Sequence, residues 1–287
     1  MKKKFLVSAI ALLSIAVVFM GCPEKDEPSE AEKAATDLAA SLGGSTKATV
    51  SGTTVTLVEN LSLTSALTVP AGVTLAVPSG KSLTVGNSTT LTVNGAVTVA
   101  GGGTLTAPAL GADGLPTGGQ IAFGASGKVE LAYGAIGYYG TTLFIGSTGN
   151  NLIYQWDSSA TSSKVTLKGN NTTELTAGKV TCVAALTGQQ PSTGVAAQTA
   201  MVIASGATLT IQHGFAIGGT LTINGSLVGA VNAILAVASG ATVNGTAATI
   251  FYPSGNTTAA TATANTGYKW TTDAGGSSIA GWKAQQS

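Results

Sequence analysis

Leu67, Leu75, Leu83 and Leu91 recur every eight residues, and each is followed two positions later by a valine: Val69, Val77, Val85 and Val93. Val97, Val99 and Leu105 continue the series, while Thr68, Thr84, Thr92 and Thr98 fill alternate positions. Apolar residues at i and i+2 with Thr between them make a short strand with one buried and one wetted face. Turn residues separate these strands: Pro70-Ala-Gly72, Pro78-Ser-Gly80, Gly86-Asn87 and Asn94-Gly95. The pattern returns late in the chain. Leu209-Thr-Ile211, Phe215-Ala-Ile217 and Leu221-Thr-Ile223 recur every six residues, and Leu227, Leu235 and Val243 resume the spacing of eight. Units this short cannot bury a core alone, so they must stack.

Two all-β architectures satisfy that demand: a repetitive β-solenoid (β-helix), or an antiparallel β-meander or sandwich. Parity separates them in part. From Leu67 to Leu105 every periodic apolar residue is odd-numbered. A two-residue hairpin at Asn94-Gly95 would flip the inward face between Val93 and Val97, whereas a solenoid corner imposes no such flip. Hairpins with three-residue loops also keep parity, so the meander stays open as the alternative.

A short α-helix precedes the repeats. Ser29 with Glu32 reads as a capping box, Ala31, Ala35, Leu38 and Leu42 share one face, and Gly43-Gly44 is the stop. Residues 29–43 are therefore expected to form a capping helix over the open end of the stack. Residues 44–287 are read as a single solenoid-like domain with an irregular middle, 107–204, and a terminal cap, 247–287. Strand candidates in the middle are Gln120–Phe123, Lys128–Tyr133, Thr142–Ile145, Asn151–Trp156, Lys164–Lys168, Lys179–Leu186 and Ala200–Ala204. In the tail they are Thr249–Tyr252, Tyr268–Trp270 and Ile279–Lys283.

The first 22 residues carry a different signal. Lys2, Lys3 and Lys4 form a positive segment, and Phe5 to Phe19 is apolar apart from Ser8 and Ser14. That length fits the apolar core of a signal peptide better than a membrane span. The run ends at Phe19-Met20-Gly21-Cys22, which resembles the lipobox of bacterial lipoproteins. The resemblance implies that residues 1–21 are removed and that Cys22 is lipidated, with 22–28 as a tether. It places the protein in the cell envelope, at the outer membrane or cell surface, held to the membrane by its N-terminal lipid.

A second resemblance concerns the repeats. Ser88-Thr-Thr-Leu-Thr-Val-Asn-Gly-Ala-Val-Thr-Val99 and Gly218-Gly-Thr-Leu-Thr-Ile-Asn-Gly-Ser-Leu227 look like the β-helical rungs of haemagglutinin-type adhesins and autotransporter passengers. It implies a solenoid exposed at a bacterial surface and a role in adhesion.

Charge narrows the partners. The chain has no arginine and a net charge of +1, and its 13 lysines are scattered. Nucleic-acid binding needs a basic face, so it is excluded. Lipidation of Cys22 leaves Cys182 as a lone thiol in an apolar run, read as a small buried residue. No cofactor and no metal site is expected, because one histidine and one thiol do not make a zinc site. His213 lies in a turn without a nearby acid, and no Gly-x-Ser-x-Gly elbow exists. Gly80-Lys81-Ser82 ends like a phosphate loop, but Leu75 stands where the first glycine belongs. Beyond residue 37 the acids are widely spaced, and Glu130 with Asp157 is the one carboxylate pair worth weighing for glycoside hydrolysis. No catalytic residues are assigned and the chain is read as a non-enzyme.

One cluster remains. Tyr133, Tyr138, Tyr139, Phe144, Tyr154 and Trp156 gather in an aromatic-poor chain. Aromatic faces stack on sugars and anchor protein partners, and they also fill cores. The candidate binding residues are Tyr138, Tyr139, Tyr154 and Trp156, facing a glycan or a host or matrix protein. The expected function is structural or adhesive, with two alternatives: a carbohydrate-binding module using the aromatic patch, and an ice-binding solenoid. The latter rests on Thr-Leu-Thr at 90–92, 104–106, 208–210 and 220–222, in a series that Ala76 interrupts.

Overall fold

Alternation of apolar and hydroxyl side chains sets the building unit of the fold. The computed structural model describes residues 27–107, 119–139, 143–147, 154–169, 172–183, 194–195, 200–212, 214–229, 234–237, 242–244, 249–251, 268–273 and 281–286. These are mostly strand, with one α-helix, α1 (Glu30–Ser41). The signal segment, Cys22, His213 and Asp113 lie outside the described residues.

The first strands are β1 (Ala48–Ser51), β2 (Thr54–Leu57), β3 (Leu61–Leu63), β4 (Leu67–Val69) and β5 (Thr74–Val77). They continue as β6 (Ser82–Val85), β7 (Thr90–Val93), β8 (Ala96–Val99), β9 (Thr104–Ala107) and β10 (Gln120–Phe123). β1 and β2 pair antiparallel. Thereafter the described pairings skip: each strand lies parallel to the third strand after it. β2, β5 and β8 run in one sheet, β3, β6 and β9 in a second, and β4, β7 and β10 in a third. Like residues stack on like, with Leu61 on Leu83 and Leu83 on Leu105, Leu67 on Leu91, and Thr84 on Thr106. The register of Leu67 with Leu91 is the spacing of eight taken three times. The meander alternative is not followed over residues 54–107, where no two consecutive strands pair among the described contacts.

The expected faces hold along this stretch. Leu75, Leu83, Leu91, Val69, Val85, Val93 and Val97 are wholly buried, and Thr84, Thr92 and Thr98 are partly exposed. Each buried Leu or Val side chain stabilises by about 1.5–3 kcal/mol relative to exposure, so the inward rows dominate the energetics.

Asn-Gly makes corners here, not hairpins. The N–H groups of Asn94 and Gly95 both donate to Val69 O, at 2.9 and 3.2 Å. Asn224 and Gly225 repeat this with Ile203 O, at 2.8 and 3.0 Å. A Cβ on Gly95 would sit 2.2 Å from Val73 O, and one on Gly225 would sit 2.2 Å from Ala207 O. Glycine is required at both corners because backbone from the preceding turn passes against it.

Residues 128–182 break the pattern. The strands are β11 (Lys128–Ala132), β12 (Ile136–Tyr139), β13 (Leu143–Gly146), β14 (Tyr154–Trp156), β15 (Lys164–Lys168), β16 (Thr172–Ala177) and β17 (Lys179–Cys182). β11 and β12 still stack parallel on β8 and β9. Then β13 returns antiparallel to β12, β15 lies antiparallel to β11, β16 to β15, and β17 to β14. β12 and β16 fall outside the strand candidates read from the sequence.

Parallel stacking then resumes through β18 (Gly194–Val195), β19 (Ala200–Ile203), β20 (Thr208–Ile211), β21 (Gly214–Ile217), β22 (Thr220–Ile223), β23 (Ser226–Gly229) and β24 (Ile234–Val237). β25 (Thr242–Asn244) and β26 (Thr249–Phe251) complete it. β27 (Tyr268–Asp273) and β28 (Gly281–Gln286) close one sheet as an antiparallel pair beside β26.

At the other end α1 packs on β1, β2 and β4. The Ser29 N–H donates to Glu32 Oε2 at 2.8 Å and the Glu32 N–H donates to Ser29 Oγ at 3.2 Å, the reciprocal cap expected from the sequence. Ala35, Leu38 and Leu42 are buried and Ala31 is half-buried, which is the apolar face predicted. No helix among the described residues is long and apolar enough to cross a membrane.

Candidate functional site

Burial decides what the aromatic cluster does. Tyr154 and Trp156 share parity on β14, and both face inward, 1% and 5% exposed. The indole Nε1 of Trp156 donates to Ala135 O at 2.7 Å, and its ring meets the edge of Tyr133 at 6.2 Å between centroids. The Tyr154 hydroxyl is buried with no hydrogen-bond partner among the described residues. Its surroundings, and secondarily Cys182, push its pKa well above the ordinary phenol value. These two candidate binding residues are therefore core and not surface, because their parity on β14 turns both inward. Tyr138 and Tyr139 lie on β12, in register with Thr106 and Ala107. Their side chains are outside the described residues.

Cys182 is a buried thiol on β17, as expected. Asp157 does not join Glu130. It follows β14, where its Oδ1 accepts from the Ser159 N–H at 2.8 Å. Ser159, through its hydroxyl first and its backbone second, holds the Asp157 carboxyl below its ordinary value. Glu130 lies on β11, in the other long sheet.

Glu130 has different company. Thr166 on β15 stands opposite Glu130 on one side and opposite Glu174 on the other. Lys128 Nζ pairs with Glu130 Oε1 at 3.2 Å, and Lys168 pairs with Glu174. The antiparallel register also sets Lys128 directly opposite Lys168. Thr166, in the middle of this group, is 3% exposed, and its hydroxyl meets that of Thr176 at 2.9 Å. The glutamate side chains are less exposed than the lysines: 24% and 19% for Glu130 and Glu174, against 43% and 46% for Lys128 and Lys168.

The lysines border a cleft of about 570 Å³. One wall is the corner Phe123–Gly127 between β10 and β11, where the Gly127 N–H donates to Gly124 O at 3.0 Å. The other is the start of the turn from β15 to β16, with Gly169 and Thr172. Phe123 is half-buried against the core and Ser126 is exposed. The volume falls in the range of small-molecule sites. Chemically the cleft offers a half-buried phenyl ring, hydroxyls and two lysine side chains. Among the described residues no group of three or more His, Cys, Asp or Glu is placed to hold a metal.

No protein-family model, curated protein or solved structure matches this chain. Its function must be argued from the geometry above. Sequence reasoning named Glu130 but not Glu174, Lys128 or Lys168. The signal available was weak: Lys128-Val-Glu130 and Lys164–Lys168 are charged strands in a chain that is 9% charged as a whole.

Proposed function

We propose that the chain is a non-enzymatic, lipid-anchored envelope protein, built as a β-solenoid of three-strand turns, with a structural or adhesive role. The observation that carries the solenoid reading is the skipped parallel pairing: every third strand stacks in register, on both sides of the irregular middle. Such a stack has a uniform hydroxyl-rich exterior, and recognition needs a local, irregular feature. The cleft beside Lys128 and Lys168 is that feature, and it takes the role first given to the aromatic patch. The anchoring part of the reading rests on Lys2 to Cys22, and it places the protein at the outer membrane or cell surface. Cys22→Ser tests it in cell fractionation with labelled palmitate. The wild type should be labelled and sediment with membranes, and the variant should do neither. Equal labelling of the two would overturn the anchor.

A second reading, ice binding, is favoured by one observation. Ala76 interrupts the row Thr56–Ala76–Thr98 on the first sheet, but the second sheet carries Ser62–Thr84–Thr106 and Ser82–Thr104 in register. Thermal hysteresis of the purified protein would establish that reading in place of adhesion, and its absence would remove it.

A further inference from the structure

We propose that the cleft between the Phe123–Gly127 corner and Lys168, Gly169 and Thr172 binds an anionic glycan, with the sugar's acidic group received between Lys128 and Lys168. This rests on the binding role given to the cleft above.

The lysine pair is the first ground. Directly opposed like charges on neighbouring strands are unfavourable. Here Lys128 and Lys168 are cross-strand partners in a chain that has only 13 basic residues. Lys128 pairs with Glu130 and Lys168 with Glu174, but the glutamate side chains are the less exposed of each pair, so the lysines are the charged groups that solvent meets first at the rim of the cleft. A carboxylate or sulfate arriving from solvent meets the lysines before the glutamates. It relieves their mutual repulsion without breaking either ion pair.

The surroundings select a sugar over a protein. Protein partners are anchored by exposed aromatic and aliphatic side chains. Among the described residues, the exposed large hydrophobics are Val50 and Ile136, and neither lines the cleft. The cleft offers instead the Ser126 and Thr172 side chains, glycine backbone and the half-buried Phe123. Hydroxyls beside a half-buried phenyl ring suit a polyol ring, and the volume of about 570 Å³ exceeds what a single ion needs. The corner itself is rigidly placed: a Cβ on Gly127 would lie 1.8 Å from Val93 O, and one on Gly124 would lie 2.3 Å from Asn94 Oδ1.

The test is calorimetric titration of the full mature chain with trigalacturonate, a sulfated galactan trisaccharide, neutral galactotriose and triglutamate. Binding of either acidic sugar is expected, weakening as ionic strength rises. The neutral sugar and the acidic peptide should each bind at least about tenfold more weakly. Ser126→Trp, at an exposed position on the cleft wall, should reduce acidic-sugar affinity by about tenfold or more with an unchanged Tm. Lys128→Gln/Lys168→Gln should also reduce that affinity by about tenfold or more, through charge. Failure of both acidic sugars to bind, equal binding of galactotriose or triglutamate, or wild-type affinity in Ser126→Trp would each overturn the proposal. Fractionation of Cys22→Ser reports the anchor independently, so loss of the glycan site and loss of the envelope reading are told apart.

Discussion

Residues 54–107 and residues 128–182 are both built from short strands that bury alternate side chains, yet they pair differently. In the first region every described contact from β2 on is parallel and in register. In the second, four of the strand pairs are antiparallel. The difference follows from charge and corners. An in-register parallel stack puts each residue beside its counterpart in the next turn, so a charged residue at a repeating position would build a ladder of like charges. The outward rows of the first region are Thr, Ser and Ala, which stack without penalty. Lys128 and Glu130 on β11 still stack on the neutral Ala96 and Thr98, but Lys164, Lys168 and Glu174 follow on β15 and β16, where the pairing is antiparallel. The antiparallel turn from β15 to β16 lets Lys168 find Glu174, while Lys128 pairs with Glu130 on its own strand, at the expense of one lysine–lysine opposition. The low charge of the whole chain is thus a condition of the stacking, and the charged cleft marks where stacking lapses.

The largest effect should come from reversing the faces of the regular region. Leu83 is wholly buried, so Leu83→Asp places an unpaired carboxylate in the core and should cost several kcal/mol, enough to unfold the domain. Thr84→Asp, one position on and facing out, should change stability by less than about 1 kcal/mol. Equal melting temperatures for the two would reject the assignment of faces.

Glycine substitutions separate the two regions directly. Gly95→Ala drives a Cβ to 2.2 Å from Val73 O and should cost about 2 kcal/mol or more in chemical denaturation. Gly169→Ala, in the middle, meets nothing nearer than Phe123 Cβ at 3.6 Å and should cost less than about 1 kcal/mol. If Gly95→Ala is as mild as Gly169→Ala, the corner is looser than its contacts require.

The smallest effect concerns the core of the middle. Tyr154→Phe removes a buried hydroxyl with no described partner, and stability should stay level or rise by about 1 kcal/mol. A clear loss in urea denaturation would mean that the hydroxyl is satisfied and that the interior there is more polar than described.

What was legible in the sequence follows the same division. Local chemistry could be read: the Ser29–Glu32 cap, the odd-numbered inward rows and β10 at Gln120–Phe123 all depend on neighbours within a few residues. Parity favoured skipped pairing over hairpins because Asn94-Gly95 leaves Val93 and Val97 on one face. The middle could not be read this way. β16, Thr172–Ala177, has the single strong apolar residue Leu175 and carries no strand signal. Six aromatics close in sequence did not report their face, and Tyr154 and Trp156 turned inward because strand parity, not proximity, decides it. Glu174 is 44 residues from Glu130 and is brought near it only by the two antiparallel turns that place Thr166 between them.

The central claim, that every third strand stacks in register, is tested most directly by cross-linking across the second sheet. Thr84 and Thr106 are parallel register partners, and neighbouring strands lie about 4.8 Å apart, within the Cα separation of about 4.4–6.8 Å that a disulfide spans. Thr84 and Thr92 lie on different sheets, but a meander with three-residue loops would set them opposite each other. In a Cys22→Ser background, Thr84→Cys/Thr106→Cys should oxidise to an intramolecular disulfide in the folded protein, and Thr84→Cys/Thr92→Cys should not. Cross-linking of the 84–92 pair with none at 84–106 would contradict the stacked account.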